Sequence, residues 1–408
     1  MNSQPIILDT YQYRNQSMAR ECQTLSIYIH IPFCTSKCTY CAFNTYTKME
    51  NLIPAFVDAL NREIAYVARN NPYKTVGTVF FGGGTPTLLS TAQFESILSG
   101  IRQHFTLSPS AEITTEANPN DLSIEYLSGL RRAGINRISI GMQSANDEEL
   151  RLFARRHDRH TVIAAVKMAR LAGFDNINLD LIYGAPRQTM ATWQDTVQTA
   201  LAMDVQHFSL YALGLEAGTP MDDWVNSGQM PEPDDDLAAD MYDYATEQLA
   251  QAGYQQYEIS NWCRDDLMCC HNLQYWRNEP YIGVGPGAHG FAAGVRYAVM
   301  RAPAKYISTM LADDNATLDF PLTPAVDEAN QLSVMDEIGE TLIMSFRLLD
   351  EGVHLPSFQK RFGVDLMDLH GEKMAKFLKD GLLIRQDERI KLTENGRLLS
   401  NIIFRELI

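Results

Sequence analysis

Short β-branched runs alternate along the chain with longer stretches whose apolar residues recur every three or four positions. The runs cover residues 25–31, 78–81, 112–116, 137–141, 176–182 and 207–213. Between them Phe56, Ala59, Leu60, Ile64 and Val67 share one helical face, and residues 94–101, 124–133, 162–172 and 193–202 repeat the pattern. Strands alternating with helices predict a parallel sheet with right-handed crossovers. Six such units fall short of the eight of a closed barrel. The expected fold is therefore α/β, a partial (β/α)6 barrel.

Beyond the sixth run, residues 214–232 read as a loop. Asp234, Asp235 and Asp236 then suit the start of a helix over 237–252. Residues 281–294 are rich in glycine. Helical patterns over 333–349, 355–362 and 373–380 precede a small hairpin (382–385 and 390–393) and a last helix over 394–407. Three helices with a hairpin predict a winged-helix-like tail. These shifts divide the chain into an extension (1–24), a core (25–255), a connecting segment (256–330) and a C-terminal domain (331–408).

Charge is distributed unevenly. Against 34 Lys and Arg stand 50 Asp and Glu, a net charge of −16. Residues 188–263 contain no Lys or Arg and 13 acids, so most of that charge lies in one segment. The balance argues against a grip on nucleic-acid phosphates. It predicts either a solvated acidic face or a docking surface for a basic acceptor or electron donor. No stretch reaches the roughly 18 apolar residues of a membrane span. Seven cysteines, three of them crowded and two adjacent, do not resemble a secreted disulfide framework, so a cytoplasmic location is expected.

Cys34, Cys38 and Cys41 follow the first predicted strand. Three thiolates within eight residues can wrap one soft metal centre. Zinc normally takes four ligands, and no fourth lies close by. A 4Fe–4S cubane on three cysteines leaves one iron open. Three inert buried thiols are the bland alternative. The turn Gly82-Gly83-Gly84-Thr85-Pro86 follows the second run, where backbone can approach a ligand closely.

The C-x3-C-x2-C spacing resembles the signature of radical S-adenosylmethionine (SAM) proteins, in which SAM chelates the open iron. Further strings resemble the HemN/HemW group of coproporphyrinogen-dehydrogenase-like members: Tyr28-Ile-His30-Ile-Pro-Phe-Cys34, Thr115-Glu116-Ala-Asn118-Pro119, Ile140-Gly-Met-Gln143-Ser, Arg155-Arg-His157 and Asn178-Leu-Asp180 through Pro186. The resemblance implies that Tyr28, Gly83 and Glu116, with Ala212 and His289, contact a cluster-bound SAM. It implies a second SAM position at Gly84, Thr85, Gln143, Arg155 and Asp180, with Tyr40 in the loop beside it. Mutual pairing of Glu116, Arg155 and Asp180 is the structural alternative.

Two details separate branches of the group. Its coproporphyrinogen dehydrogenases carry a fourth cysteine two positions after the third, where this chain has Phe43. The string His271-Asn272-Leu-Gln-Tyr275-Trp276 resembles the H-N-x-x-Y-W feature of the HemW branch, linked there to heme. The resemblance thus implies heme contacts at these four positions, and a chaperone passing heme to an acceptor protein. Cys269 and Cys270 are alternative thiolate ligands or small buried hydrophobes. A homodimer is compatible with the resemblance. The rival expectation is a radical SAM enzyme, either an oxygen-independent coproporphyrinogen III dehydrogenase or a methyltransferase.

Overall fold

The computed structural model describes residues 24–73, 75–312 and 318–407. The expected N-terminal extension lies outside them apart from Thr24, which opens the first strand. Six parallel strands form the centre of one twelve-stranded sheet. They are β1 (Thr24–Ile31), β2 (Thr75–Gly83), β3 (Thr106–Ala117), β4 (Arg137–Gln143), β5 (Ile177–Tyr183) and β6 (His207–Ala212), lying side by side in chain order. Between them run α1 (Ile53–Ala68), α2 (Thr91–His104), α3 (Ile124–Ala133), α4 (Arg159–Leu171) and α5 (Met190–Leu201). This is the expected six-unit α/β architecture. Local chemistry starts the helices: Ser90 and Thr189 form reciprocal caps with Gln93 and Thr192, and Asp158 accepts the N–H of Thr161.

Alternation along the strands separates structure from chemistry. In β1, Leu25, Ile27, Ile29 and Ile31 are fully buried in one core with Phe56 and Leu60 of α1. Ser26, Tyr28 and His30 take the other face. The same face of the neighbouring strands carries Thr78, Glu112, Glu116, Arg137, Ser139, Asn178, Asp180, His207 and Ser209. The core-facing side is aliphatic and the barrel interior is polar.

Antiparallel strands extend both edges. β7 (Gln255–Glu258) and β8 (Asn261–Cys263) add to β6. β9 (Tyr281–Val284) pairs parallel with β1, followed by β10 (His289–Ala292), β11 (Val295–Val299) and β12 (Val326–Gln331). Periodicity does not reveal β7 to β11, which are three to five residues long and glycine-rich at β9 and β10. Those glycines serve close strand packing: a Cβ on Gly283 would lie 1.9 Å from the His289 carbonyl oxygen.

Four expectations for local structure differ. The loop expected over 214–232 contains a helix, Pro220–Asn226, capped by Thr219 and held by burial of Met221. The helix expected over 373–380 starts at Leu366 and kinks at His370. The last helix breaks at Leu399 into Glu394–Leu398 and Ser400–Leu407. The acidic start does open a helix, α6 (Asp235–Gln251), two residues earlier than periodicity suggested. In the acidic stretch, all the acids are exposed except half-buried Asp222 and buried Glu258.

The tail has its own core of Ile338, Leu342, Phe346, Phe358, Phe362 and Phe377. A three-stranded sheet (Val353–His354, Leu383–Gln386, Arg389–Leu392) flanks helices Val334–Phe346, Leu355–Phe362 and Leu366–Lys379, as a winged-helix-like unit requires. Among the described residues no helix is long and apolar enough to cross a membrane.

Candidate functional site

At the C-terminal ends of the six parallel strands lies a cavity of about 590 Å³. The loop after β1 places Cys34, Cys38 and Cys41 on one wall. Gly83, Gly84, Thr85, Glu116, Gln143, Arg155, Asp180, Ala212 and Tyr40 line the same cavity. The fold thus brings together residues from each of the parallel strands β2 to β6 and from the loop after β1. Two of the expected SAM contacts, Tyr28 and His289, line an adjoining cavity of about 560 Å³, and Tyr28 also borders a smaller space beside Glu116 and Asp180.

The glycine turn is fixed by the cysteine loop. A Cβ on Gly84 would fall 2.6 Å from the Phe33 carbonyl oxygen and 3.1 Å from Cys34 Sγ. Gly83, at φ +106°, leaves room for the His30 ring. The Gly84 and Thr85 N–H groups donate to Ile31 and Phe33 carbonyls at 2.8 Å each. Thr85 Oγ1 donates to Cys34 Sγ at 3.6 Å, and Arg155 Nη1 to Cys38 Sγ at 3.5 Å.

The donor set fits a cluster better than an ion. Among the described residues no three His, Cys, Asp or Glu side chains close on a single-ion position. Three cysteines nevertheless line one cavity, the ligand count that leaves one iron of a 4Fe–4S cluster open. Phe43 at the fourth-cysteine position is 68% exposed.

Two carboxylates face the cavity floor. Glu116 accepts the Gly83 N–H at 3.0 Å, and its carboxyl is pushed up to about 8 by burial first and by nearby Asp180 second. Asp180 accepts from Ser139 and Asn178 at 3.0 and 2.8 Å, and burial raises it too. Neither forms an ion pair with Arg155, whose Nη2 instead donates to the Gly141 carbonyl at 3.0 Å while Nε stays buried without a partner. Gln143 at φ +65° and Ala154 at φ +55° occupy the left-handed region, a cost that aims Gln143 and Arg155 inward. Carboxylates for an ammonium or ribose hydroxyls, with a guanidinium for a carboxylate, suit the polar ends of SAM. His157 belongs to the scaffold: its Nε2 donates to the Met142 carbonyl at 3.0 Å.

His271 is the second residue of α7 (Cys270–Trp276), and its ring lies inside the barrel, fully buried. Tyr275 OH donates to Nε2 at 2.8 Å, and Nδ1 pairs with Thr78 Oγ1 at 2.7 Å, which donates on to Ser26 Oγ. Burial pushes the imidazole down to about 3, so it stays neutral. Glu112 accepts the N–H groups of Cys270 and His271 at 2.9 and 3.0 Å and fixes the helix start. Asn272 and Tyr275 share with His271 a space of about 190 Å³ that borders the thiol-lined cavity through Glu116, Ser139, Asp180 and Tyr211. Trp276 points elsewhere, under the Arg347 guanidinium at 4.3 Å. Three of the four H-N-x-x-Y-W residues therefore share one cavity and Trp276 lies outside it, and both His271 nitrogens are engaged. Cys269 is buried beside Glu112 at 3.5 Å, whereas Cys270 is exposed.

Sequence reasoning missed part of the polar lining deeper in the barrel, namely Arg137, Ser139, His207 and Ser209, and gave no role to Asn178 beside them. Arg137 is 2% exposed, and its Nε has no partner. The signal that could have found them is a polar residue at every second position of strands treated above as β-branched runs.

A partial six-unit barrel whose first strand feeds a three-thiol loop beside a glycine turn is the architecture of a radical SAM protein. The radical SAM superfamily model matches residues 28–200, and that of the HemN C-terminal domain residues 332–399. The chain is 34% identical over 382 residues to the heme chaperone HemW of Bacillus subtilis, covering 93% of this chain and 98% of that one. It is 36% identical to HemW of Mycobacterium tuberculosis, covering 95% of each. The structure matches coproporphyrinogen III oxidase (HemN) from Escherichia coli, a radical SAM enzyme, with TM-score 0.80 and 26% identity over 96% of this chain and 92% of the other. The chain belongs to the HemW family.

Proposed function

We propose that the protein is a heme chaperone that holds a 4Fe–4S cluster on Cys34, Cys38 and Cys41, binds SAM beside it, and passes heme to an acceptor protein. The observation that carries this reading is the three-thiol cavity with Phe43 where a fourth cysteine would stand, in a chain alike to HemW relatives over nearly its whole length. When bound, the cluster supplies an electron and SAM a deoxyadenosyl group. Thr85 and Arg155 donate hydrogen bonds to the thiolates. Glu116 and Asp180 accept from ribose hydroxyls or an ammonium, Arg155 holds a carboxylate, and Gly83 and Gly84 keep the cysteine loop against the floor. The convergence of Gly84, Thr85, Gln143, Arg155 and Asp180 fits a second SAM position.

The partners in this reading are heme, its acceptor and an electron donor. The exposed acidic face suits a basic surface on one of the two proteins. The reading places the protein in the cytoplasm, allows a homodimer, and keeps residues 25–255, 256–330 and 331–408 as functional segments, with 1–24 as an extension.

That same convergence favours an enzymatic reading, with coproporphyrinogen III as substrate. One experiment separates the two. Anaerobically reconstituted protein should develop the broad absorbance of an iron–sulfur cluster, take up added heme, and leave coproporphyrinogen III unchanged in the presence of SAM and reductant. Accumulation of protoporphyrinogen would overturn the chaperone reading.

A further inference from the structure

His271, the residue that the HemW resemblance links to heme, is fully buried with both ring nitrogens engaged. The two engagements are not equivalent. Thr78 Oγ1 donates its one proton to Ser26 Oγ at 2.7 Å. Towards His271 Nδ1, also 2.7 Å away, the same oxygen therefore accepts, which places the imidazole proton on Nδ1. A neutral imidazole carries one such proton, and burial keeps this ring neutral. Nε2 is left with its lone pair, directed at the Tyr275 hydroxyl, which donates to it at 2.8 Å.

An imidazole whose far N–H is anchored by an acceptor is the form in which histidine binds metals, because the anchor fixes tautomer and ring direction. Strands β1 and β2 supply that anchor, since Ser26 and Thr78 are partners in register. Phe80, two residues further along β2, stacks on the ring at 5.0 Å between centroids. On the ligating side stands Tyr275, one turn after His271 on the same face of α7. Tyr275 borders both the space beside His271 and the adjoining cavity of about 560 Å³. Side-chain rotation thus has room to carry the phenol away from Nε2. The space then uncovered borders the thiol-lined cavity through Glu116, Ser139, Asp180 and Tyr211. Its charges are mixed, with Glu116 and Asp180 set against Arg137, whose buried Nε has no partner.

We propose that Tyr275 is a latch over the His271 lone pair and that Thr78, backed by Ser26, locks the tautomer that iron requires. When heme binds, the hydrogen bond from Tyr275 to Nε2 breaks and a coordinate bond from Nε2 to iron forms. The Nδ1 proton stays on the ring, held by Thr78, so no proton is transferred. Tyr275 and Thr78 are positioning residues that act through His271. This inference rests on the chaperone reading, with His271 as its heme ligand, and adds how that ligand is oriented and masked.

The test is a titration of the full chain with ferric heme, read by the Soret band and electron paramagnetic resonance, with circular dichroism as the check on folding. The panel is wild type, His271→Ala, Tyr275→Phe, Thr78→Val and Thr78→Ser. His271→Ala should lose the imidazole-ligated signature and regain it with added imidazole. Tyr275→Phe should keep the signature and bind heme roughly two- to tenfold more tightly, since binding no longer breaks a hydrogen bond. Thr78→Val should weaken binding about tenfold or more and shift the resonance signals, and Thr78→Ser should restore both. Tyr275→Phe and Thr78→Ser each alter little else, so the proposal stays testable if Thr78→Val does not fold. Binding by Tyr275→Phe no tighter than wild type would overturn the latch, and a wild-type spectrum in folded Thr78→Val would overturn the lock. An unchanged His271→Ala spectrum would overturn both, and in all three cases the chaperone reading stands. Failure of the wild type to take up heme would remove that reading as well.

Discussion

Glu116 illustrates what the interior does to single residues. In the unfolded chain its carboxyl titrates near 4.5, and in the folded protein near 8. The folded form therefore keeps a proton that the unfolded form has lost, and this residue's contribution to stability declines as pH rises through that window. Glu116→Gln should raise the melting temperature by an amount that grows between pH about 4.5 and about 8 and then levels off. A gain independent of pH would mean that the carboxyl is not held in the proton-bound form. Glu116 was legible as a site residue from its motif. Arg137 was not, because no motif marks it, and its importance lies in where alternation points it.

Among the elements, the order of strands and helices was readable because each βα unit carries its own period and caps. What could not be read were β7 to β11 and the helix Pro220–Asn226. They are too short for periodicity, and pairing at the sheet edges or burial of Met221 holds them. The glycine turn is the element where local sequence and chemistry meet most closely. Gly84→Ala would press a Cβ against two carbonyl oxygens of the cysteine loop, an overpacking that costs about 1–3 kcal/mol. Reconstituted iron–sulfur absorbance per chain should fall with it. Gly173→Ala meets no atom within 4 Å at φ +87° and should cost about 1 kcal/mol of strain with the absorbance intact. Equal absorbance in both variants would detach the glycine turn from the cluster loop.

Across the whole molecule, arginines tie the tail to the barrel. Arg347 reaches buried Glu258 of β7 at 3.3 Å and covers Trp276. Arg361, itself of the tail, donates to the carbonyls of Arg277 and Asn278 at 3.2 and 2.8 Å. Arg277 pairs with Glu351 across a more exposed contact. Removing Arg347 strands the Glu258 charge in the interior, so Arg347→Met should cost roughly 3 kcal/mol or more. Arg277→Ala, at a half-exposed pair, should cost about 1 kcal/mol or less. Urea unfolding of the two variants measures the difference, and equal midpoints would show that the Glu258 pair does not hold the tail.

The sequence by itself determined the partial barrel, the thiol loop and the acidic face. Those features are set by local period, by three cysteines within eight residues and by composition. Only the tertiary structure decided which cavity each side chain enters. Tyr28 pairs in register with Gly283, which sets the start of β10 and its His289 beside β1, away from the thiol-lined cavity. His271, next to exposed Cys270, is drawn into the barrel by Glu112 and Thr78. A strand residue changes faces with a one-residue change of register, and register here depends on partners more than 200 positions away in sequence.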